Sequence, residues 1–180
     1  MDRQPVLEGE RLLLRPLVAE DWHALFAVAS DPQVWAIHPQ HDRWQEPVFR
    51  RFFADALAQG GGLAVIDKAS GAIIGSSRFQ GLETADGGSV EIGWTFLARS
   101  HWGGSYNREM KRLMLAHALQ SVERVQFKVG EGNLRSRRAM EKIGGLLTAR
   151  SEVVDTASGP VRHVIYEITR ESFASGPLNP

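Results

Sequence analysis

Between Ser89 and Glu131 the hydrophobic period changes twice, and no other feature narrows the fold as much. "SVEIGWTFLA" alternates apolar and polar residues, and "WGGSYN" interrupts it with paired glycines; "REMKRLMLAHAL" then repeats its apolar residues at helical spacing, and "RVQFKVGE" alternates again. A strand, a helix and a second strand in that order make a crossover, which sets the two strands parallel in one sheet. In the first of them Val90, Ile92, Trp94 and Phe96 share one face. Glu91, Gly93 and Thr95 fall on the other, and Glu91 is the only ionisable group there. In the helix Met110, Leu113, Met114, His117 and Ala118 form the apolar face, with Arg108, Lys111 and Arg112 opposite.

The rest of the chain fits around this crossover. "RLLLRPL" is a short strand broken by Pro16, whose missing N–H places it near a sheet edge. A helix from Trp22 stops at Asp31-Pro32, and a second, "EPVFRRFFADALAQ", opens with Pro47 in its first turn and ends at Gly60. "GLAVID" and "IIGSSRFQG" lead by short glycine-containing turns into "SVEIGWTFLA", an antiparallel meander. After the crossover come a helix, "NLRSRRAMEKI", and a hairpin, "LLTARSEVVD" with "VRHVIYEITR". The expected fold class is α/β (α+β), with a single twisted, mostly antiparallel sheet and helices on both faces. Residues 1–173 are expected to form one domain and 174–180, "ASGPLNP", a flexible tail.

Composition excludes several classes of function. Lys and Arg number 21, as do Asp and Glu, so no net field draws the chain to nucleic acid or an anionic membrane. The absence of cysteine removes disulfides and thiolate chemistry, and with the absence of an apolar leader points to a cytoplasmic protein. His38, His41 and Asp42 flank Pro39 without a further ligand cluster, so no metal is expected.

"WGGSYN" stands where a helix begins, and a helix N-terminus carries unpaired N–H groups and partial positive charge. Glycines there let the backbone approach an anion closely, although two glycines also make an ordinary tight turn. The helix from Asn133 carries Arg135, Arg137 and Arg138 in its first turns, where the macrodipole disfavours each cation by about 0.3–1 kcal/mol. A nearby phosphate would offset that cost; a solvated basic face paired with Glu141 or Glu131 would do so equally well.

The succession "VEIGWTFLARSHWGGSYNREMKRLMLAHAL", "VGEGNLRSRRAMEKIGG" and "VRHVIYEITRESF", with "RLLLRPLVAEDWHALFAVASDPQV" before it, resembles the GCN5-related N-acetyltransferase (GNAT) superfamily. Within it the pattern is similar to the RimJ/RimL-like branch of ribosomal-protein N-terminal acetyltransferases. The resemblance implies a GNAT fold in which parallel strands 4 and 5 of the predicted sheet splay apart around the pantetheine arm of acetyl-CoA. The family's pyrophosphate loop, [Q/R]-x-x-G-x-[G/A], matches Ser100 to Ser105; Gly103 is in place, while Ser100 and Ser105 depart from the pattern.

The cofactor contacts implied are the backbone of Thr95, Phe96 and Leu97 toward the thioester and the loop residues His101, Trp102, Gly103 and Gly104. Ser105, Tyr106 and Asn107 complete the loop, and Asn133 and Arg138 approach from the next helix. Glu91 is the implied general base, acting through water, or else a strand glutamate paired with a cation such as Arg78. Ser136 is the implied acid for the leaving thiolate, because Met140 stands where many relatives carry a tyrosine; Asn133 and Ser136 also suit a plain helix start. Trp35, His38 and Trp44 are expected to wall the acceptor pocket, the two tryptophans serving equally as core. The implied activity is acetyl transfer to a primary amine, either a protein or peptide N-terminus or a small amine, by a monomer or homodimer. A non-catalytic acyl-CoA-binding module is the alternative.

Overall fold

In the computed structural model, which describes residues 1–179, the chain enters its sheet through β1 (Leu7–Glu8) and β2 (Leu12–Pro16). Three helices follow, α1 (Trp22–Ala29), α2 (Pro32–Trp35) and α3 (Glu46–Gln59). The meander is β3 (Gly62–Asp67), β4 (Ile73–Glu83) and β5 (Ser89–Leu97), and the crossover helix α4 (Tyr106–Ala118) leads to β6 (Arg124–Gly130). Then come α5 (Leu134–Lys142), β7 (Leu146–Thr156), β8 (Gly159–Thr169) and α6 (Arg170–Ala174). The strands form one sheet in the order β1-β2-β3-β4-β5-β6-β8-β7, antiparallel throughout except for the parallel pair β5–β6 that the crossover demanded.

That parallel pair is joined only over Ser89–Glu91 against Arg124–Gln126. From Ile92 and Phe127 onward the two strands run on without pairing, so a gap opens between them. The other edge of β5 explains how it turns away. Ser76 pairs with Phe96 and Arg78 with Gly93, two steps on β4 against three on β5, so β5 holds one extra residue. Trp94 sits at this bulge with φ 52°, a left-handed conformation that a tryptophan adopts only under constraint.

The bulge corrects the expected alternation. Val90 and Ile92 join the core cluster containing Met110 and Met114 of α4, but Phe96 lies in the other cluster, against Trp35 and Phe49. One inserted residue reverses the faces of everything after it. Each face of the sheet thus has its own core: α4, α5 and α6 on one side, and α1–α3 on the other. The second is an aromatic cluster in which Trp22, Phe26, Phe49, Phe52, Trp35 and Phe96 stack or meet edge to face at 5.0–6.4 Å. Each such pair adds about 0.5–1.5 kcal/mol beyond its buried area, which helps hold α1–α3 against this face of the sheet.

Two further expectations need correction. The buried arc of α4 runs through Met110, Lys111, Met114, Leu115 and Ala118, one position round from the face read in the sequence, so Lys111 points inward and Leu113 and His117 lie at the edge. The tail expected over 174–180 to be flexible is exposed at Ala174, Ser175, Pro177 and Asn179 but is tied down at single points. Leu178 is 2% exposed within the main core, the Arg108 guanidinium donates to the Pro177 carbonyl, and Pro177 lies against Gly144. A single leucine at the end of a glycine- and proline-rich stretch supplies an apolar anchor that the segment's composition hides. Pro180 lies outside the described residues.

Candidate functional site

The gap between β5 and β6 is the floor of a cleft of about 300 Å³. Its walls are the unpaired lengths of the two strands, the start of α4 and the first turns of α5. A broader groove of about 740 Å³ over α1 and the β3–β4 turn contains, of the residues singled out for catalysis or binding, only Ser100 at the head of the predicted pyrophosphate loop.

On β5 the ladder decides which backbone groups face the gap. Ala98 N–H donates to the Ile74 carbonyl of β4 at 2.7 Å, so by alternation the N–H and C=O of Leu97 turn toward β6, which is not there to pair with them. The Leu97 carbonyl instead accepts from Trp102 Nε1 at 2.8 Å, and the Leu97 N–H is left facing the cleft. Thr95 and Phe96 line the same wall.

The start of α4 is unusually open. No oxygen among the described residues accepts from the N–H groups of Gly103, Gly104, Ser105, Tyr106, Asn107 or Arg108. The Ser105 side chain makes no cap; its hydroxyl accepts from the Arg11 guanidinium instead. Gly103 adopts φ 69°, and a Cβ placed there would meet nothing within 4 Å, so the loop is bare on that side. Serine in place of the family's small sixth residue therefore does not close the loop. His101 is fixed below it, edge-on to Tyr106 at 4.7 Å and held by Ser100 Oγ at 2.8 Å.

The start of α5 is closed by its own side chain: Asn133 Oδ1 accepts from Ser136 N–H at 3.3 Å, the ordinary cap role. Asn133 is buried, and its side-chain NH2 has no acceptor among the described residues; with the Ser136 hydroxyl it lines the cleft. Of the three arginines, Arg135 is the one at the cleft, its guanidinium 4.0 Å from the centre of the Trp102 ring. Arg137 donates to Tyr166 Oη and to the Glu131 carbonyl. Arg138, expected among the contacts, is exposed and outside the cleft lining, because the arc of α5 that faces the cleft runs through Arg135, Ser136, Ala139 and Met140 and Arg138 lies to one side of it.

Glu91 sits at the vertex, in the last paired row of β5 and β6. Its carboxylate does not line the cleft; it lies behind Gly93, where a Cβ would come within 3.3 Å of Glu91 Oε1. Lys128 is its cation, 3.3 Å away, and also meets Glu152 at 3.1 Å, while Arg78 is engaged by Asp55 instead. Burial pushes the Glu91 carboxyl above its usual range, and Lys128 opposes that shift without cancelling it. A carboxylate tuned upward and reached past a bare glycine suits proton removal through water.

Of the expected acceptor wall, Trp35 and His38 reach the cleft and Trp44 does not: it stands exposed on the outside of the loop. Trp35 is 1% exposed and donates from Nε1 to the Ala29 carbonyl, so it is core with one edge at the cleft. His38 Nδ1 accepts from Gln40 N–H, and burial, with the charges of Arg43, His163 and Arg135, holds its pKa at about 3, so its ring is neutral.

Lys111, Lys128 and His163 were missed as cleft residues in the sequence. Lys128 and His163 come from strands whose alternation shows them pointing away from the core, but not what they meet. For Lys111 the available signal was its spacing to Met114, Leu115 and Ala118, which puts it on the buried arc.

Solved structures share this architecture. A GCN5-related N-acetyltransferase from Brucella melitensis superposes with a TM-score of 0.83 at 21% identity, covering 98% of this chain and 82% of that one. RimJ from Mycobacterium smegmatis, in complex with CoA-disulfide, gives a TM-score of 0.71 at 17% identity over 93% and 86% of the two chains. Spermidine N-acetyltransferase from Vibrio cholerae, in complex with CoA and spermine, gives 0.70 at 14% identity over 92% and 99%. These likenesses speak for the fold. The sequence itself matches the family model of the acetyltransferase (GNAT) domain over residues 11–145. With most of its length inside that match and the splayed parallel pair in its sheet, the chain belongs to the GNAT acetyltransferase family.

Proposed function

We propose that the protein transfers an acetyl group from acetyl-CoA to a primary amine, and that the amine is the N-terminus of a protein or peptide or that of a small molecule. The observation that carries the donor is the run of unaccepted N–H groups from Gly103 to Arg108, opening on the outer lip of the cleft. Backbone donors at a helix start with no internal partner fit a pyrophosphate, and the bare side of Gly103 leaves room for it. Asn133 Nδ2 and the stacked Trp102–Arg135 pair would hold the arm that follows. CoA in the two neighbouring complexes supports the same ligand class. Bound acetyl-CoA would supply the acyl group as a thioester, already activated toward an amine.

The chain's own groups then divide the work. Glu91, through water past Gly93, takes the proton that an acceptor ammonium must lose. The Leu97 N–H donates to the carbonyl oxygen as charge develops there. The Ser136 hydroxyl gives a proton to the departing sulfur, since Met140, buried at the cleft wall, has none to give. Trp35 and His38 bound the acceptor side. The likeness to RimJ makes peptide N-termini the first acceptors to test.

The test is a thiol-release assay with acetyl-CoA against a panel of peptides and small amines. Release that depends on one acceptor class, and falls in Glu91→Gln, supports the proposal. Release with no acceptor, or none with any, contradicts it.

A further inference from the structure

Lys111 is 4% exposed, and no carboxylate pairs with it among the described residues. Its Nζ donates to Thr95 Oγ1 at 2.9 Å and lies 5.4 Å from the centre of the Phe127 ring. Thr95 Oγ1 is in turn 2.8 Å from Ser77 Oγ. One threonine oxygen satisfies one of three ammonium donors, no other acceptor is met among the described residues, and Lys111 lines the cleft. A buried ammonium without an anion is costly, and burial alone drives this one down to about 7.

The cleft lining supplies no anion for it. Lys111, Lys128, Arg135, His38, His101 and His163 line the cleft, and no Asp or Glu among the described residues does. Lys128 has its own carboxylates behind the strand, and Arg135 is stacked on Trp102 at the outer lip. Lys111 stands at the inner end, beside the first unpaired residue of β6 and about 7.5 Å along α4 from its open start. A donor anchored by its phosphates at that start directs its acyl end inward, toward Lys111.

We propose that the cleft accepts, and prefers, a CoA thioester whose short acyl chain ends in a carboxylate, with Lys111 as the counter-ion that selects it. This rests on the CoA-binding function proposed above and names the class of acyl group. The transfer is balanced: a C–N bond forms at the acceptor amine as the C–S bond breaks, the proton lost by the amine ends on the departing thiol, and the distal carboxylate is unchanged.

Calorimetric titration of the purified protein with CoA, acetyl-CoA and succinyl-CoA tests it without an acceptor. Wild type is expected to bind succinyl-CoA about tenfold more tightly than acetyl-CoA, the scale of one charge-assisted hydrogen bond. Lys111→Met, close in shape, is expected to erase that gap while acetyl-CoA affinity stays within about twofold. Thr95→Val, which keeps the ammonium but removes its anchor, narrows the gap. Equal affinities in wild type, or a gap that survives in Lys111→Met, overturn the proposal. If acetyl-CoA and CoA also fail to bind, the donor site itself falls; if they bind and succinyl-CoA gains nothing, only the acyl preference does.

Discussion

The two sides of the gap between β5 and β6 are finished differently. On the α4–α5 side, backbone donors from Gly103 to Arg108 and the Lys111 ammonium have no anion of their own. On the α1–α3 side the groups around Glu91 are paired, with Lys128 between Glu91 and Glu152 and Arg78 on Asp55, and His38 is neutral and accepts from Gln40. The first side offers donors that an anionic ligand would accept; on the second, the ion pairs around Glu91 set its protonation. Binding and proton transfer are therefore separable by substitution.

The largest separation is expected at Glu91. Glu91→Gln keeps the shape of the side chain and removes the base, so kcat is expected to fall by about 10²–10⁴ while the Kd for acetyl-CoA holds; steady-state kinetics beside titration calorimetry checks both. A donor affinity that fell with kcat would join the two sides again.

Lys111 sharpens the contrast through stability. Burial lowers its pKa from 10.5 to about 7, so between those values the unfolded chain binds more protons than the folded one. Wild-type stability should therefore rise with pH across that window. Lys111→Met lacks the penalty, and its stability advantage without ligand, on the order of a few kcal/mol and read as a higher Tm, is expected to be greatest at pH 7 and below and to shrink toward pH 10.5. A pH-independent Tm difference would contradict a buried ammonium.

Lys128 tests the opposite side. It is the cation that holds the Glu91 carboxyl down against burial, so Lys128→Met raises that pKa further. The acidic limb of the kcat profile is expected to move to higher pH. An unmoved limb would show that another group titrates there. The smallest effect belongs to the closed helix start: Asn133→Ala loses the α5 cap at about 1 kcal/mol of stability in chemical denaturation, with a weaker effect on donor affinity than changes at α4.

Much of the fold was legible because period and punctuation agree with tertiary context. The residues read as the second helix, Glu46 to Gln59, are those of α3, and the crossover forced the parallel pair. The bulge at Trp94 was not legible, because "VEIGWTF" alternates without a break and the extra residue shows only against β4. The open helix start at Gly103 and the Asn133 cap were legible from glycines and from where the helices begin. Arg135 rather than Arg138, and Lys111 as an inward side chain, depend on helix rotation of a fraction of a turn, which an apolar pattern fixes only to about one residue. Trp44 was placed at the acceptor wall by position in the chain, and loop geometry turned it outward.

The open helix start is tested most directly by titrating acetyl-CoA into wild type and Ser105→Pro. Ser105 has φ −79° and follows a glycine, so proline fits there and removes one N–H from the run. Wild type is expected to bind saturably, with Tm rising by about 5–10 °C at a hundredfold excess over Kd, and Ser105→Pro to bind about tenfold more weakly with its ligand-free Tm nearly unchanged. An unshifted wild-type Tm at millimolar acetyl-CoA, or equal affinity in the proline variant, would contradict a donor site built on those backbone groups.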